Sequence, residues 1–279
     1  MTHFFALLPT IWPWLLLITA MVSTVSGKQV LGMGLLAVFG AVSLTLGLVT
    51  PIAAGVVTVG FAGALILRNL SGMWAALGHV TLVIWCIALG AHLVPGFHNP
   101  LVLDQVQSGP LSRDFTMYLN LDKPMVLFTV ALAWPSMIGG AVALRKIPLA
   151  VGFALLPALL AVGSAVNAIR PEISLPHWWV IFALSNLFLT CLTEEVFFRG
   201  YLQSLISSRF GAGLGIAAAS LLFGLVHVGG GPALAGFATI LGAACGLGYY
   251  ATGRLWVPVL MHFGFNAAHL VLFTYPGPA

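Results

Sequence analysis

Charge is what this 279-residue sequence lacks most. Lys and Arg number 10, Asp and Glu 6, and together they make up 6% of the chain, where a soluble domain carries roughly 25%. So few charges cannot cover a water-soluble fold of this size, which excludes an ordinary soluble enzyme or binding domain. The basic residues are scattered singly, with no cluster able to neutralise a run of phosphates, so the formal charge of +4 gives no sign of nucleic acid as a partner. Cysteine is scarce as well. Cys86, Cys191 and Cys245 stand in apolar stretches with no CxxC spacing, which excludes a disulfide framework and a cysteine metal site and leaves small packing residues. No basic region precedes the first apolar stretch after Met1-Thr2-His3, so that stretch reads as a retained helix and not as a cleaved signal peptide. The run Gly211-Ala212-Gly213-Leu214-Gly215 follows no strand pattern and reads as turn and packing, not as a nucleotide loop.

What is present is apolar: 60% of the residues are hydrophobic. The solvent for most of this chain is lipid, which demands helices of about 20 apolar residues. Such stretches run approximately over 5–25, 29–48, 51–67, 73–94, 124–144, 148–168, 178–207, 212–228, 232–251 and 255–274. The expected fold class is therefore all-α, a polytopic transmembrane helical bundle of about ten helices. Its partners are the lipid bilayer and whatever is embedded in it, and its expected location is a bacterial inner (plasma) membrane. Small residues at helix-packing intervals, such as Gly242 with Gly246, suit close approach of helices in lipid. One long polar segment, 96–123, carries Asp104, Arg113, Asp114, Asp122 and Lys123 and is too polar to cross lipid. A loop of that length is functional or mobile, and it divides the chain into N-terminal helices with the loop, 1–123, and a core, 124–279.

The charges test this division. With the N-terminus outside and ten crossings, Lys28, Arg68, Arg145, Lys146, Arg209 and Arg254 fall on the cytoplasmic side. Arg113, Lys123 and Arg170 fall outside, beside Asp104, Asp114, Asp122 and Glu172. That distribution follows the positive-inside rule.

Three charges fit neither side. Glu194, Glu195 and Arg199 sit inside an apolar stretch, where a charge near the bilayer centre costs roughly 2.5–3.5 kcal/mol on insertion scales and marks function by default. Glu195 and Arg199 are four apart, share a helix face and can pair. Glu194 points about 100° away from Glu195 and has no cation in its own stretch, so it reads as an unpaired carboxylate suited to act as a general base. Phe223 with His227, and His262 with Asn266, repeat the four-residue interval in two further apolar stretches. Glu194 lies 16 residues before Phe210 and His227 lies 16 after Gly211, so an antiparallel hairpin brings them to one level. A lone membrane histidine is more often a core residue. Two of them, with an asparagine and a glutamate in one C-terminal third, shift that balance toward a site.

These residues also carry a resemblance. Glu194-Glu195-x-x-x-Arg199, Phe223-x-x-x-His227 and His262-x-x-x-Asn266 resemble, in order and over about 175 to 270, the three motifs of the CAAX-protease and bacteriocin-processing (CPBP) family, whose best-known branch is the type II CAAX prenyl endopeptidase. The segment Leu119-Asn120-Leu121-Asp122-Lys123 is similar to a stretch that precedes the core in some bacterial members. The resemblance implies intramembrane hydrolysis of a peptide bond in a membrane-anchored protein or peptide substrate. By position it gives Glu194 the water, assisted by His227, and His262 and Asn266 the oxyanion. Glu195, Arg199 and Phe223 take supporting places. Neither a cofactor nor a metal is expected. The residues leave two alternatives open: Glu194, His227 and His262 as a His₂Glu zinc set, although no HExxH helix is present, or a non-enzymatic transporter, immunity or scaffold protein that uses the same buried charges.

Overall fold

The computed structural model describes residues 2–279, and side chains from residue 10 onward. It is an all-α polytopic bundle. Ten helices follow one another: α1 (Thr2–Val25), α2 (Gln29–Thr45), α3 (Pro51–Leu67), α4 (Gly72–Gly90), α5 (Met125–Ala133), α6 (Lys146–Ala165), α7 (Trp179–Phe210), α8 (Ala212–Leu225), α9 (Pro232–Thr252) and α10 (Trp256–Leu272). Among the described residues α4, α6, α7 and α9 are long and apolar enough to cross a membrane. The bundle is inside out relative to a soluble protein. Val30 is 90% exposed and Ile147 79%, while Arg199 is 1% exposed and Glu195 fully covered, as a fold solvated by acyl chains requires.

Local chemistry sets the boundaries. The weak Thr50-Pro51 break is a helix start: the Thr50 hydroxyl accepts from Ala53 N at 3.2 Å and Pro51 occupies the first turn, where its missing N–H costs nothing. One residue, Gly211 at φ +86°, turns the chain between α7 and α8, a left-handed conformation that favours glycine. Small residues bring α7 against α9. The Gly242 carbonyl accepts from Arg199 Nη2 at 2.8 Å and the Gly246 carbonyl from Gln203 Nε2 at 3.0 Å. A Cβ at Gly242 would stand 3.1 Å from Ser220 Cα on α8 and 3.3 Å from Arg199 Nη2 on α7, so those neighbours would have to shift by a few tenths of an ångström.

The expected crossing over 124–144 takes another form. α5 has nine residues, all but Leu132 buried, about 13.5 Å at 1.5 Å per residue against a core of about 30 Å. Pro135 ends it, keeping Trp134 out of the helical conformation. The chain then turns through Pro135–Ile138 and runs extended beside the end of α9, with Gly139 bridged to Arg254 and Arg145 N donating to the Ala251 carbonyl. α5 itself lies inside protein, as a half-helix at membrane depth must, and the irregular residues that follow it are largely exposed at the end of the bundle that carries Arg145 and Arg254.

The polar segment 96–123 holds an antiparallel pair, β1 (Leu101–Val106) and β2 (Phe115–Tyr118), with Val49 bridged to Phe97 at its start. Glu172, before α7, accepts from Leu111 N at 2.7 Å and from the Ser112 hydroxyl, and Arg113 N donates to the Gly277 carbonyl. These ties fix the hairpin to the end of the bundle that carries Arg170. At the other end, Arg68 and Arg209 line one cavity with Trp134 and Pro135, and Arg145 reaches the Tyr250 carbonyl at 2.7 Å. The six basic residues expected on the cytoplasmic side thus lie at one end of the bundle, with Lys28 beside Gln29, whose amide donates to the Ala131 carbonyl.

Candidate active site

The acidic pair sits where α7 departs from regular α geometry. Ser185–Leu192 and Val196–Gln203 are π-helical, bonded i to i+5, and Thr193–Glu195 forms a short α segment between them. Such widened turns are rare and occur often at functional sites. Side chains follow the wider pitch: Cys191 Sγ meets Asn186 Oδ1 at 3.3 Å and the Ser204 hydroxyl donates to the Arg199 carbonyl at 3.0 Å, both five residues apart.

Glu195 faces the packed interior. Its Oε2 lies 3.1 Å from Arg199 Nε, an ion contact off the line of a hydrogen bond, and its Oε1 accepts from His262 Nδ1 at 2.9 Å. The Arg199 guanidinium lies 5.0 Å from the centre of the Phe223 ring and 5.7 Å from that of Phe198, a cation–π arrangement that offsets part of the cost of burying the charge. Phe223 is 1% exposed. Its ring centre stands 4.7 Å from that of His227 and 5.6 Å from that of His262, holding the two imidazoles apart.

Glu194 faces a cavity of about 150 Å³ whose wall includes Lys123, Thr193 and His227, with Ile87 and Phe198 among the apolar residues. Its Oε2 is 3.9 Å from His262 Nε2, and its Oε1 is 2.5 Å from Lys123 Nζ. Glu194 is therefore an ion-paired carboxylate, not the unpaired one expected from its own stretch. The cation comes from 71 residues earlier, at the foot of α5, where neither helical spacing nor hydrophobic pattern links it to α7. His227 donates from Nδ1 to the Phe223 carbonyl at 2.7 Å. A carbonyl only accepts, so Nδ1 carries a proton, and in the neutral ring Nε2 then keeps its lone pair.

The structure brings together Glu194, Glu195, Arg199, Phe223, His227 and His262. Asn266 stands slightly apart, one turn beyond His262 on α10, with its amide donating to Asn186 Oδ1 at 3.1 Å and lying 3.7 Å from Cys191 Sγ. Neither His262 nor Asn266 lies on the cavity wall. Sequence reasoning missed Lys123 and Asn186, and it missed Thr193, a residue of the cavity wall whose own hydroxyl is buried and has no hydrogen-bond partner. Asn186 was open to detection as a polar residue in an apolar stretch two turns before Glu194. Among the described residues no three His, Cys, Asp or Glu side chains converge as a metal site. The direction from which a cation would approach Glu194 Oε1 is taken by the Lys123 ammonium.

A polytopic helical membrane protein with a carboxylate and an imidazole lining one cavity, and a second imidazole packed behind the carboxylate, is the class these observations define. Within that class, residues 176–268 match the family model described as Rce1-like, type II CAAX prenyl endopeptidase. That match covers the stretch bearing all three motifs, about a third of the chain, and over it the chain is similar to the type II CAAX prenyl endopeptidases. No curated protein and no solved structure matches the chain.

Proposed function

We propose that this protein is a glutamic-type intramembrane endopeptidase, metal-free, that hydrolyses a peptide bond near the C-terminus of a membrane-anchored protein or peptide in a bacterial plasma membrane. The observation that carries the reading is that Glu194 and His227, whose Nδ1 is bonded to its own helix, come from two helices joined by a single residue and line one cavity in an apolar bundle. Peptide hydrolysis needs a base for water and donors for the developing oxyanion. Glu194 Oε2, the oxygen not held by Lys123, takes a proton from water that His227 Nε2 orients. The new C–O bond puts negative charge on the carbonyl oxygen. Glu194 then returns its proton to the amide nitrogen as the C–N bond breaks.

His262 and Asn266 are the proposed oxyanion donors. The Asn266 amide has two N–H groups and gives one to Asn186. With His262 Nδ1 committed to Glu195, Nε2 donates only from the doubly protonated ring, whose charge Glu195 and Glu194 would flank. Glu195 orients His262 in the manner of the third member of a catalytic triad, and Arg199 and Phe223 hold that arrangement. The test is to compare wild type with Glu194→Gln on a quenched-fluorescent prenylated peptide in reconstituted membranes. Wild type is expected to release the C-terminal fragment at a rate unchanged by chelators, and the variant, equally folded, to release none. Equal cleavage by both removes the glutamic mechanism. Loss of cleavage on chelation, restored by zinc, transfers the reading to a metalloprotease.

A further inference from the structure

None of the residues given a role in hydrolysis lies before α7, yet the shortest polar contact to Glu194 comes from the N-terminal segment. We propose that Lys123 is a positioning residue of the reaction, a fixed cation that holds one oxygen of Glu194 so that the other is presented to water. This rests on the peptidase reading of the site. Three observations carry it.

The first is the contact itself: Lys123 Nζ lies 2.5 Å from Glu194 Oε1, and both side chains belong to the wall of the same cavity as His227. A carboxylate with one oxygen clamped cannot turn freely about its last bond, so Oε2 keeps its place beside His262 Nε2. The second is how firmly the lysine is delivered. Lys123 N donates to Asp122 Oδ1 at 3.0 Å, and Asp122 is itself buried. Its Oδ2 contacts His92 Nδ1 at 2.7 Å and its Oδ1 accepts from Asn99 Nδ2 at 3.3 Å, while Asn99 Oδ1 accepts from Leu121 N at 2.8 Å. The Trp14 indole donates to the Asn120 carbonyl at 3.2 Å. Residues 120–123 are thus tied to α1, to the end of α4 and to the start of the polar segment, which is more than a solvated loop requires.

The third is depth. A lysine reaching the interior of an apolar bundle is costly and persists there only with a partner. α5 begins beside it as a half-helix, so the fold interrupts a membrane-spanning element at the point where the cation is needed. Helices α1–α4 and the hairpin belong to the catalytic apparatus on this account. They build the support that aims Lys123.

The test compares full-length Lys123→Met and Lys123→Arg with wild type, again on the quenched-fluorescent prenylated peptide. Misplacing a reacting group by about 1 Å costs on the order of 100-fold, so Lys123→Met is expected to lose about that much kcat with KM nearly unchanged, and Lys123→Arg to recover most of it. A kcat for Lys123→Met close to wild type overturns the proposal, as does a loss that arginine does not rescue. If Lys123→Met folds poorly because an unpaired carboxylate is left behind, the double variant Lys123→Met/Glu194→Gln should regain the wild-type unfolding midpoint. Failure of that recovery also counts against the pair. A second measurement needs no substrate. Apolar carbodiimides modify carboxylic acids and spare ion-paired carboxylates, so mass spectrometry should find Glu194 labelled in Lys123→Met and protected in wild type and Lys123→Arg. Equal labelling in all three overturns the proposal. Should wild type leave the peptide uncut, the peptidase reading fails while the labelling still decides the pairing.

Discussion

Glu194 and Glu195 are adjacent on one helix and live in different surroundings. Glu195 is enclosed, with one oxygen against Arg199 and the other against His262. Glu194 lines a cavity, with one oxygen held by Lys123 and the other 3.9 Å from the nearest imidazole nitrogen. A carboxylate with both oxygens occupied is a structural part. A carboxylate with one oxygen left over has something to offer a substrate. The difference follows from the roughly 100° between consecutive helical residues: one faces the tightly packed α9–α10 side, the other the gap beside α5 and α8.

The largest expected effects break the enclosed side. Removing one member of a buried ion pair leaves an uncompensated charge and costs about 3–5 kcal/mol. Glu195→Ala is therefore expected to lower the unfolding midpoint steeply, with activity lost alongside the fold, whereas Glu194→Gln, proposed above to abolish cleavage, should lower it less, because the Lys123 ammonium it leaves behind lines the cavity and is less completely buried than Arg199. Thermal unfolding of both variants in the same membrane mimetic checks the contrast. A paired replacement sharpens it. Glu195→Leu with Arg199→Leu removes both charges and should recover much of the lost stability, yet still leave His262 without its orienting partner and the enzyme slow.

Next come the two histidines, which repeat the contrast on other helices. His227 uses Nδ1 on its own helix and keeps Nε2 for the cavity, while His262 spends Nδ1 on Glu195. Acid–base assistance by a positioned side chain is worth roughly 10²–10⁴-fold, so His227→Ala should lower kcat within that range at nearly unchanged stability. His262→Ala should lose both stability and rate, because Glu195 loses a buried hydrogen bond. Equal stability losses in the two would erase the distinction. Asn266→Ala tests the oxyanion role at the next scale down. Loss of one such donor costs up to about 10²–10³-fold, and sharing Asn266 with Asn186 puts the expected loss at the lower end.

Much of this was legible in the sequence because lipid simplifies the rules. Where few charges occur, each one inside an apolar stretch is a signal, and Glu194, Glu195 and Arg199 stood out on that ground alone. The equal spacing of Glu194 and His227 from the turn at Gly211 put them at one level, and the structure lines one cavity with both. The basic residues sorted to one end for the same electrostatic reason. What escaped detection was non-local or irregular. The π turns of α7 leave no periodic mark, since the apolar residues around them are apolar on every face. The stretch 124–144 read as a full crossing because the extended residues after Pro135 remain hydrophobic enough for one. Lys123 closes a polar segment, where lysine is ordinary, and only the folded chain carries it to Glu194.

The smallest effect belongs to Thr193, between the two carboxylates' surroundings and on the cavity wall. Its hydroxyl is buried and has no hydrogen-bond partner, an arrangement that costs about 1–3 kcal/mol of desolvation when nothing answers it. Thr193→Val keeps the branched shape and removes that unanswered group, so the resting protein is expected to be as stable as wild type or slightly more so. If the hydroxyl is there to donate to a substrate carbonyl, the gain comes with a cost in turnover: a hydrogen bond between neutral groups is worth about 0.5–1.5 kcal/mol, or roughly 2- to 12-fold in kcat/KM. A variant that is both more stable and a few-fold slower would mark Thr193 as belonging with Glu194. One that is more stable and equally fast would place it with Glu195, as part of the wall and nothing more.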